Sequence, residues 1–349
     1  MGLIAKPLGR EVRGTVAIDV SDVGESALAA FGCDVALISD DGQPADAQVA
    51  AAVQRTAEPG VKHLLWETFA RLRGEYENGG MVSHPARVLA IVRQCAAAGG
   101  MELSATQVLP LAQFFDHVNR VLFQQQTLCW LADSGEFKIR LYGAGWNEHP
   151  TFAALARGPI ESVEMRRAIW RASRINLAMG PYGAISERVL DGIAAGGFFL
   201  MRFCPADVIE RFYPPIAEFC QLYGITTTSE LRSFATRSMR RLLGFASRTL
   251  GVDVLGEWPD FVPHMLKVAS SGHARSAAAL WSSYPAVSFA SRDQLLALCT
   301  RYLYDTPQRL ALAEEMRRQL TDHAKRVSVS VDRDLLSQLG PVSGHDVAA

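Results

Sequence analysis

The sequence lacks three features that would place it in a special class of protein: an excess of one charge, paired cysteines and a long apolar run. Lys and Arg number 35 against 36 Asp and Glu, so the formal net charge is -1. This balance indicates neither nucleic acid nor an anionic membrane surface as a partner. None of the six cysteines belongs to a C-x-x-C pair. Buried thiols are therefore favoured over a metal site or a disulfide framework, and a reducing, cytoplasmic location is expected.

The chain also lacks the segments that direct a protein to a membrane. Its first residues, MGLIAKPLGREVRG, contain no apolar core of a signal peptide. The longest apolar run, residues 193–201, is about half as long as the ~20 residues that a membrane-spanning helix needs. No transmembrane segment is therefore predicted. No D-x-D pair lies in a loop after a predicted strand, which predicts a site without a metal ion.

The residues that are present describe a folded protein of mixed α/β type. The 349 residues are 49% hydrophobic and 20% charged, which predicts a sizeable core and about two domains. Short apolar runs alternate with helical patterns, and this alternation predicts a doubly wound, Rossmann-like parallel sheet. The predicted strands cover residues 15–18, 35–39, 137–142, 175–177, 198–203 and 286–289.

Paired glycines at positions 99 and 100 follow a helical pattern and mark the predicted domain boundary. Residues 1–100 are predicted to form a small α/β region, and residues 101–335 a Rossmann-like domain. Within the second domain the alternation of strands and helices stops, so a helical insertion is expected at about 205–283. A flexible tail is predicted at 336–349.

The first candidate for ligand binding is a glycine turn after a predicted strand, in residues 141–150. Gly143 and Gly145 would let the backbone approach a ligand closely, at the sheet edge where doubly wound folds bind ligands. A dinucleotide-binding fingerprint would need a third glycine at the position of Glu148 and an immediate helix, which Pro150 opposes. An NAD site is therefore disfavoured. A tight turn without a ligand is the alternative.

The second candidate is the predicted helix at 186–195. Ser186 is suited to cap its first turn, and the helix N-terminus offers free N–H groups and a positive dipole to a diphosphate. Glu187 and Asp191 lie four residues apart and share a helix face. Arg188 lies about 100° round the helix, within reach of a phosphate or of a neighbouring carboxylate. Small residues at 192, 194 and 195 would let the helix pack closely on the sheet.

These two segments, in this order, resemble the C-terminal domain of group-1 glycosyltransferases, particularly the branch that includes spore-maturation proteins. The family pattern has Tyr-Gly-x-Gly-Trp after a strand, then a Gly-Pro step and a short strand with Asn. An Arg-x-x-acid helix followed by Gly-Gly-Phe completes it. The resemblance implies a GT-B fold in which this domain binds the nucleotide sugar. The matching residues are 142–146, 158–160, 175–177 and 188–198, within similar stretches at about 138–203 and 286–335.

The resemblance also implies roles for single residues. Asp191 matches the acid that binds the ribose hydroxyls, and complementing the helix dipole is its alternative role. Trp146 fits the donor loop and a core position equally well. Arg188 matches a phosphate-side arginine, with an ion pair to a neighbouring acid as the alternative, and Asn176 matches a ligand contact or a cap on its own strand. Together with the helix geometry, the resemblance predicts seven donor-binding residues: Gly143, Gly145, Trp146, Asn176, Ser186, Arg188 and Asp191.

One departure from the wider family affects the sugar end of this site. Many group-1 enzymes have a sugar-binding glutamate eight residues before the ribose acid, where this chain has Gly183. The catalytic residue is therefore unassigned, and the polar candidates near the two segments are Glu148, His149 and Glu187. His84 and His117 are further candidates for a catalytic base, with core or surface positions as the alternative.

The predicted function is transfer of a sugar from a nucleotide diphosphate sugar to an unidentified acceptor: a glycan, a protein or a small molecule. No cofactor beyond this donor is implied. Residues 1–100 hold only two predicted strands, so an abbreviated acceptor side is expected. This shortage, together with Gly183, motivates the alternative of an inactive binding or scaffold protein that keeps the fold. Another Rossmann-like enzyme, such as an epimerase or an oxidoreductase, is the third hypothesis.

Overall fold

The apolar runs that alternate with helices pair into one sheet. A computed structural model describes residues 30–250, 253–271 and 276–338 of the protein. The predicted strand at 15–18 and most of the predicted tail at 336–349 lie outside these described residues.

In the described residues, five strands form a sheet in which every neighbouring pair is parallel. Their order across the sheet is β2-β1-β3-β4-β5. This parallel sheet confirms the predicted α/β, Rossmann-like class, and the GT-B arrangement remains a prediction. The strands are β1 Cys33–Ile38, β2 Ile139–Tyr142, β3 Ser173–Ala178, β4 Phe199–Arg202 and β5 Ser288–Phe289.

Helices fill every connection between consecutive strands. Between β1 and β2 lie α1 Ala45–Arg55, α2 Pro59–Glu77, α3 Pro85–Ala98 and α4 Ala105–Ala132. Single helices follow β2 and β3, namely α5 Val163–Ala172 and α6 Glu187–Ala194. Between β4 and β5 lie α7 Ala206–Ile209, α8 Tyr213–Leu222, α9 Thr228–Phe234, α10 Arg237–Leu250, α11 Phe261–Ser271, α12 Ala277–Leu280 and α13 Tyr284–Val287. The last two helices are α14 Arg292–Tyr304 and α15 Thr306–Gln338.

Strand β1 lies inside the sheet, between β2 and β3. Val35 is in register with Ile139 of β2 on one side and with Ile175 of β3 on the other. Successive side chains of a strand point to opposite faces, and Val35 accordingly joins the main core while Ala36 packs on the opposite face. Residues on both sides of the predicted boundary near residue 100 therefore contribute to one sheet and one core.

The helical segment predicted at about 205–283 is helical in its described residues and has a core of its own. Apolar side chains from α8, α10 and α11, such as Ile216, Leu243 and Val262, form a second buried cluster beside the main one. The hydroxyl of Ser83 joins this lobe to the main body by donating to the Leu250 carbonyl at 3.1 Å.

Two further predictions concern the thiols and the membrane. All six cysteines are free, and four of them are buried, as the apolar setting of the cysteines predicts. Among the helices of the described ranges, none combines the length and the apolar character needed to cross a membrane.

Candidate ligand-binding site

The chain reverses its direction across the sheet between β1 and β3. The connection after β1 leads to β2 on one side, and the connection after β3 leads to β4 on the other. Ligands of doubly wound proteins bind in the crevice that such a switch point opens at the carboxyl ends of the strands. A cavity of about 540 Å³ lies there, and we call it the switch-point cavity. Its lining comes mainly from residues 36–41 and 176–189, with Arg120, Gln124, Trp170 and Phe199.

The first turn of α6 forms one wall of the switch-point cavity. The hydroxyl of Ser186 accepts a hydrogen bond from the backbone N–H of Val189 at 3.3 Å, which confirms the predicted N-cap. The first N–H groups of a helix have no partner within it, and they carry the positive end of its dipole. A Cβ on Gly192 would collide with the ring of Phe199, so a glycine there lets α6 pack closely on the sheet, as predicted.

Arg188 crosses from α6 to the end of β1. One guanidinium nitrogen lies 2.5 Å from a carboxylate oxygen of Asp40, and the other donates to the Ile38 carbonyl at 3.4 Å. The partner of Arg188 is thus an acid of the neighbouring strand end rather than an acid of its own helix. Both side chains are well exposed, at 42% and 62%, so a ligand can exchange with Asp40 for the guanidinium at little cost.

A hydrogen-bond network orders the opposite wall. The Ser39 hydroxyl donates to the side-chain oxygen of Gln124 at 2.9 Å, and the Gln124 amide lies 3.4 Å from Asp41. His117 lies 3.8 Å from the same carboxylate. On the β1 side, the lining therefore offers the carboxylates of Asp40 and Asp41 as hydrogen-bond acceptors. On the α6 side, it offers the Arg188 guanidinium and the first backbone N–H groups of the helix as donors.

Asn176 lines the floor of the switch-point cavity and is almost fully buried. Its amide nitrogen donates to the carbonyls of Trp170 at 2.9 Å and Phe198 at 3.2 Å, which ties the end of α5 to the start of β4. Its side-chain oxygen has no hydrogen-bond partner among the described residues. The nitrogen therefore has a structural role, and the oxygen is an unused acceptor beside the cavity.

The glycine turn after β2 packs against the chain itself. Gly143 has φ +118°, and a Cβ there would collide with the Ser39 carbonyl oxygen. At Gly145, with φ +84°, a Cβ would lie 2.8 Å from the Gln43 nitrogen. Trp146 is fully buried, and its indole N–H donates to the Ser39 carbonyl at 2.7 Å. These three residues support the loop after β1 and do not line the switch-point cavity.

The candidates next to that turn also lie outside the lining. His149 is buried, and its Nδ1 accepts from the backbone N–H groups of Thr151 and Phe152 at 3.1 and 3.2 Å. Burial lowers the pKa of His149, with Asp46 acting in the opposite direction. A neutral ring with Nδ1 occupied carries its proton on Nε2, so His149 closes a turn as an acceptor. Glu148 is exposed. Of the three catalytic candidates, Glu187 lines the cavity.

Asp191 lies one helical turn beyond Glu187, outside the lining of the switch-point cavity. Partial burial and the Glu187 carboxylate raise the pKa of Asp191, and Arg166 and Arg167 of α5 oppose this shift. The Asp191 side chain is exposed. Of the seven predicted donor-binding residues, the structure brings Asn176, Ser186 and Arg188 together in the lining of the cavity, and Asp191 lies outside this lining.

A second cavity of about 250 Å³ shares Tyr182, Gly183 and Ile185 with the first. The buried carboxylate of Asp207 holds the loop between the two cavities: it accepts from the Ala184 N–H at 3.0 Å and from the Tyr284 hydroxyl at 3.0 Å. Burial raises the pKa of Asp207, although these hydrogen bonds lower it. Sequence patterns did not reveal Asp207, and the only signal was an acid shortly after a strand.

His84 lies on the far wall of this second cavity. Its Nδ1 accepts from the Ala86 N–H at 3.1 Å and so caps α3. Burial and the nearby His264 lower the pKa of His84 to about 4. In the neutral ring Nδ1 already accepts a hydrogen bond and Nε2 carries the proton, so neither nitrogen can act as a catalytic base. The structure therefore gives His84 a capping role.

In comparisons with known proteins, no family model, curated protein or solved structure matches the chain. The glycosyltransferase resemblance therefore depends on the sequence motifs alone.

Proposed function

We propose that the protein transfers a sugar from a nucleotide diphosphate sugar to an acceptor hydroxyl and binds this donor at the switch-point cavity. One observation supports the proposal above the others. The first turn of α6 and the Arg188 guanidinium line a cavity of about 540 Å³ at the carboxyl end of β1. Helix N-termini and arginines bind phosphates, and the motif order of the sequence resembles a family that uses such a site.

The proposed donor lies along α6. Its diphosphate contacts the first turn and Arg188, and its sugar lies inside the cavity, where Asp40 and Asp41 accept hydrogen bonds from hydroxyl groups. Four residues of helix rise by about 6 Å, so a nucleoside that extends outward past Glu187 reaches Asp191. This placement keeps the predicted ribose contact although Asp191 lies outside the cavity.

The reaction breaks the bond between the anomeric carbon and the diphosphate oxygen and forms one to the acceptor oxygen. The electron pair of the broken bond leaves with the diphosphate, which the α6 dipole and Arg188 stabilise. The acceptor hydroxyl loses its proton to the Glu187 carboxylate, which is the lining acid nearest in sequence to the diphosphate contact.

Titration calorimetry with UDP, GDP, ADP and inorganic pyrophosphate tests the proposal. The wild type should bind a nucleoside diphosphate, and Arg188→Ala should weaken both that ligand and pyrophosphate at least about tenfold, because a charge-assisted hydrogen bond is lost. Asp191→Asn should weaken the nucleotide and leave pyrophosphate binding unchanged. Arg93→Ala, an exposed arginine on α3, is the matched control. A folded wild type that binds none of these ligands would refute the proposal.

Hydrolysis separates the enzyme from the alternative of an inactive binding module. A transferase should slowly hydrolyse a bound sugar nucleotide, because water can replace the acceptor. A protein that binds the donor and never releases free sugar, even at high protein concentration, would instead support the binding module that Gly183 suggests.

A further inference from the structure

Five arginines fall within residues 231–252, a stretch that contains no lysine and no acid. Because the whole chain has a net charge of -1, this local excess is invisible in the overall composition. Four of these arginines belong to α10, in the helical lobe that carries the second core.

The arginines of α10 occupy the side of the helix opposite its buried side. Met239, Leu243, Ala246 and Leu250 face the second core. At about 100° per residue, the arginines fall within an arc of about 100° on the other side. They line an open groove of about 650 Å³, which we call the arginine groove, together with Ala235 and Gly244. The arginines are Arg237, Arg240, Arg241 and Arg248.

The cations of the arginine groove have no carboxylate partner in the described part of the chain. The ion pairs found there involve other residues, on α2, α3, α4, α6 and α15 and at the ends of β1 and β3. The acid Glu257, which follows α10 in the chain, pairs with Arg87 of α3. Arg240 donates through Nε to the Ala235 carbonyl at 3.0 Å, which leaves its two terminal nitrogens for another partner. Gly244 keeps the middle of the groove open beside Arg248. Clustered, unpaired guanidinium groups repel one another and favour a multiply charged anion.

Two exposed phenylalanines are sequence neighbours of residues that line the arginine groove. Phe234 is 66% exposed and precedes Ala235, and Phe245 is 45% exposed and follows Gly244. The inner side of the Phe245 ring contacts Phe212 at a centroid distance of 5.0 Å. An exposed phenylalanine gains free energy by leaving water, either in an apolar phase or by stacking on a flat ring such as a nucleobase.

We propose that the arginine groove docks the protein on an anionic lipid bilayer. The guanidinium groups contact lipid phosphates, while Phe234 and Phe245 enter the boundary between headgroups and acyl chains. A bilayer supplies both the dense negative charge and the apolar phase that suit this surface. Stacking of the two rings on the bases of a single-stranded nucleic acid is the competing outcome that the oligonucleotide experiment decides. The inference is independent of the proposed glycosyl transfer.

Sedimentation of the full chain with lipid vesicles tests the inference. The chain should bind phosphatidylcholine vesicles that contain phosphatidylserine and not pure phosphatidylcholine. Raising the salt from about 0.1 M to about 1 M, which shortens the Debye length from about 10 Å to about 3 Å, should release it. Arg240→Gln with Arg241→Gln should lower the partition coefficient about 25-fold, since each arginine contributes about fivefold.

Control variants separate the surface from the total charge. Arg55→Gln with Arg93→Gln removes the same charge from exposed positions on α1 and α3 and should leave binding within about twofold of the wild type. Phe234→Ser should weaken binding while the salt dependence persists. If the Arg240/Arg241 variant does not fold by circular dichroism, Arg237→Gln with Arg248→Gln replaces it.

Three outcomes would overturn the inference. They are a wild type that does not bind the phosphatidylserine vesicles, binding that both arginine double variants retain, and tighter binding of a single-stranded oligonucleotide at the same salt concentration. The first two would make the arginine groove an ordinary solvated helix face, and the third would assign it to nucleic acid.

Discussion

Removing the Asp40 carboxylate should strengthen the binding of phosphates at the switch-point cavity. Asp40 lies 2.5 Å from the Arg188 guanidinium and therefore competes with any phosphate for it. With both side chains well exposed, the ion pair adds less than about 1 kcal/mol to the free energy of unfolding. Asp40→Asn keeps the side-chain size and a hydrogen-bond acceptor, so the fold should persist with little change in stability.

The size of the gain follows from Coulomb's law. A diphosphate with about two negative charges, about 6 Å from the carboxylate, is repelled by about 1–2 kcal/mol at an effective dielectric constant close to that of water, which suits two exposed groups. Asp40→Asn should therefore tighten the binding of UDP and pyrophosphate about 5- to 30-fold. The effect should shrink as the salt concentration rises.

Titration calorimetry of wild type, Asp40→Asn and Glu67→Gln measures this change. Glu67 is exposed on α2, far from the switch-point residues in sequence, so its variant controls for the loss of one negative charge. An equal or weaker affinity of Asp40→Asn for pyrophosphate, in a protein with an unchanged melting temperature, would refute the placement of the diphosphate beside Arg188.

Three further predictions concern stability. Gly143→Ala should lower the free energy of unfolding by at least about 3 kcal/mol in urea, because a positive φ and a backbone collision act together, whereas Gly135→Ala should cost about 1 kcal/mol. Asp207→Ala should cost about 3 kcal/mol, because it leaves buried N–H and O–H donors without an acceptor. His84 has a folded pKa of about 4 against 6.5, so the unfolded state binds more protons and stability is lost as the pH falls from about 6.5 to about 4. His84→Asn should remove up to about 3 kcal/mol of that loss.

Each of these three stability predictions has its own contradicting outcome. Equal costs for the two glycine variants would mean that the loop after β1 does not lie against Gly143. A fully stable Asp207→Ala would mean that other groups hold the loop between the two cavities. Burial raises the pKa of Asp207 in the folded protein, so the folded state keeps this proton to a higher pH than the unfolded state does. The contribution of the raised pKa to stability is therefore largest below pH 3.8 and declines as the pH rises above that value. This slope is opposite in sign to that of His84, and the two single variants separate them.

Local patterns predicted the elements of the fold better than their arrangement. Mostly apolar segments such as CDVALI at 33–38 and FLMR at 199–202 are typical of strands buried in a parallel sheet. The position of β1 between β2 and β3 depends on pairings across more than 100 residues, which no local pattern contains. The long helical connection after β1 therefore suggested that residues 1–100 form a separate region. In the structure, β1 belongs to the same sheet as the strands that follow residue 100.

The candidate site divides in the same way. Ser186 has a local role, since an N-cap needs only the first turn of its own helix, and this role could be predicted. Gly143 indicated a close approach of the backbone, but the sequence does not say what approaches, and the partner is the carbonyl of Ser39. Two other interactions join residues that only the tertiary fold brings together. They are the ion pair between Arg188 and Asp40 and the hydrogen bond from the Ala184 N–H to the Asp207 carboxylate.

A crystal structure of the chain with a bound nucleoside diphosphate would show whether the switch-point cavity binds the donor. We expect a diphosphate between Arg188 and the first turn of α6, with the ribose directed toward Asp191. Phosphates found only in the arginine groove, with the switch-point cavity free of ligand at saturating nucleotide, would contradict it.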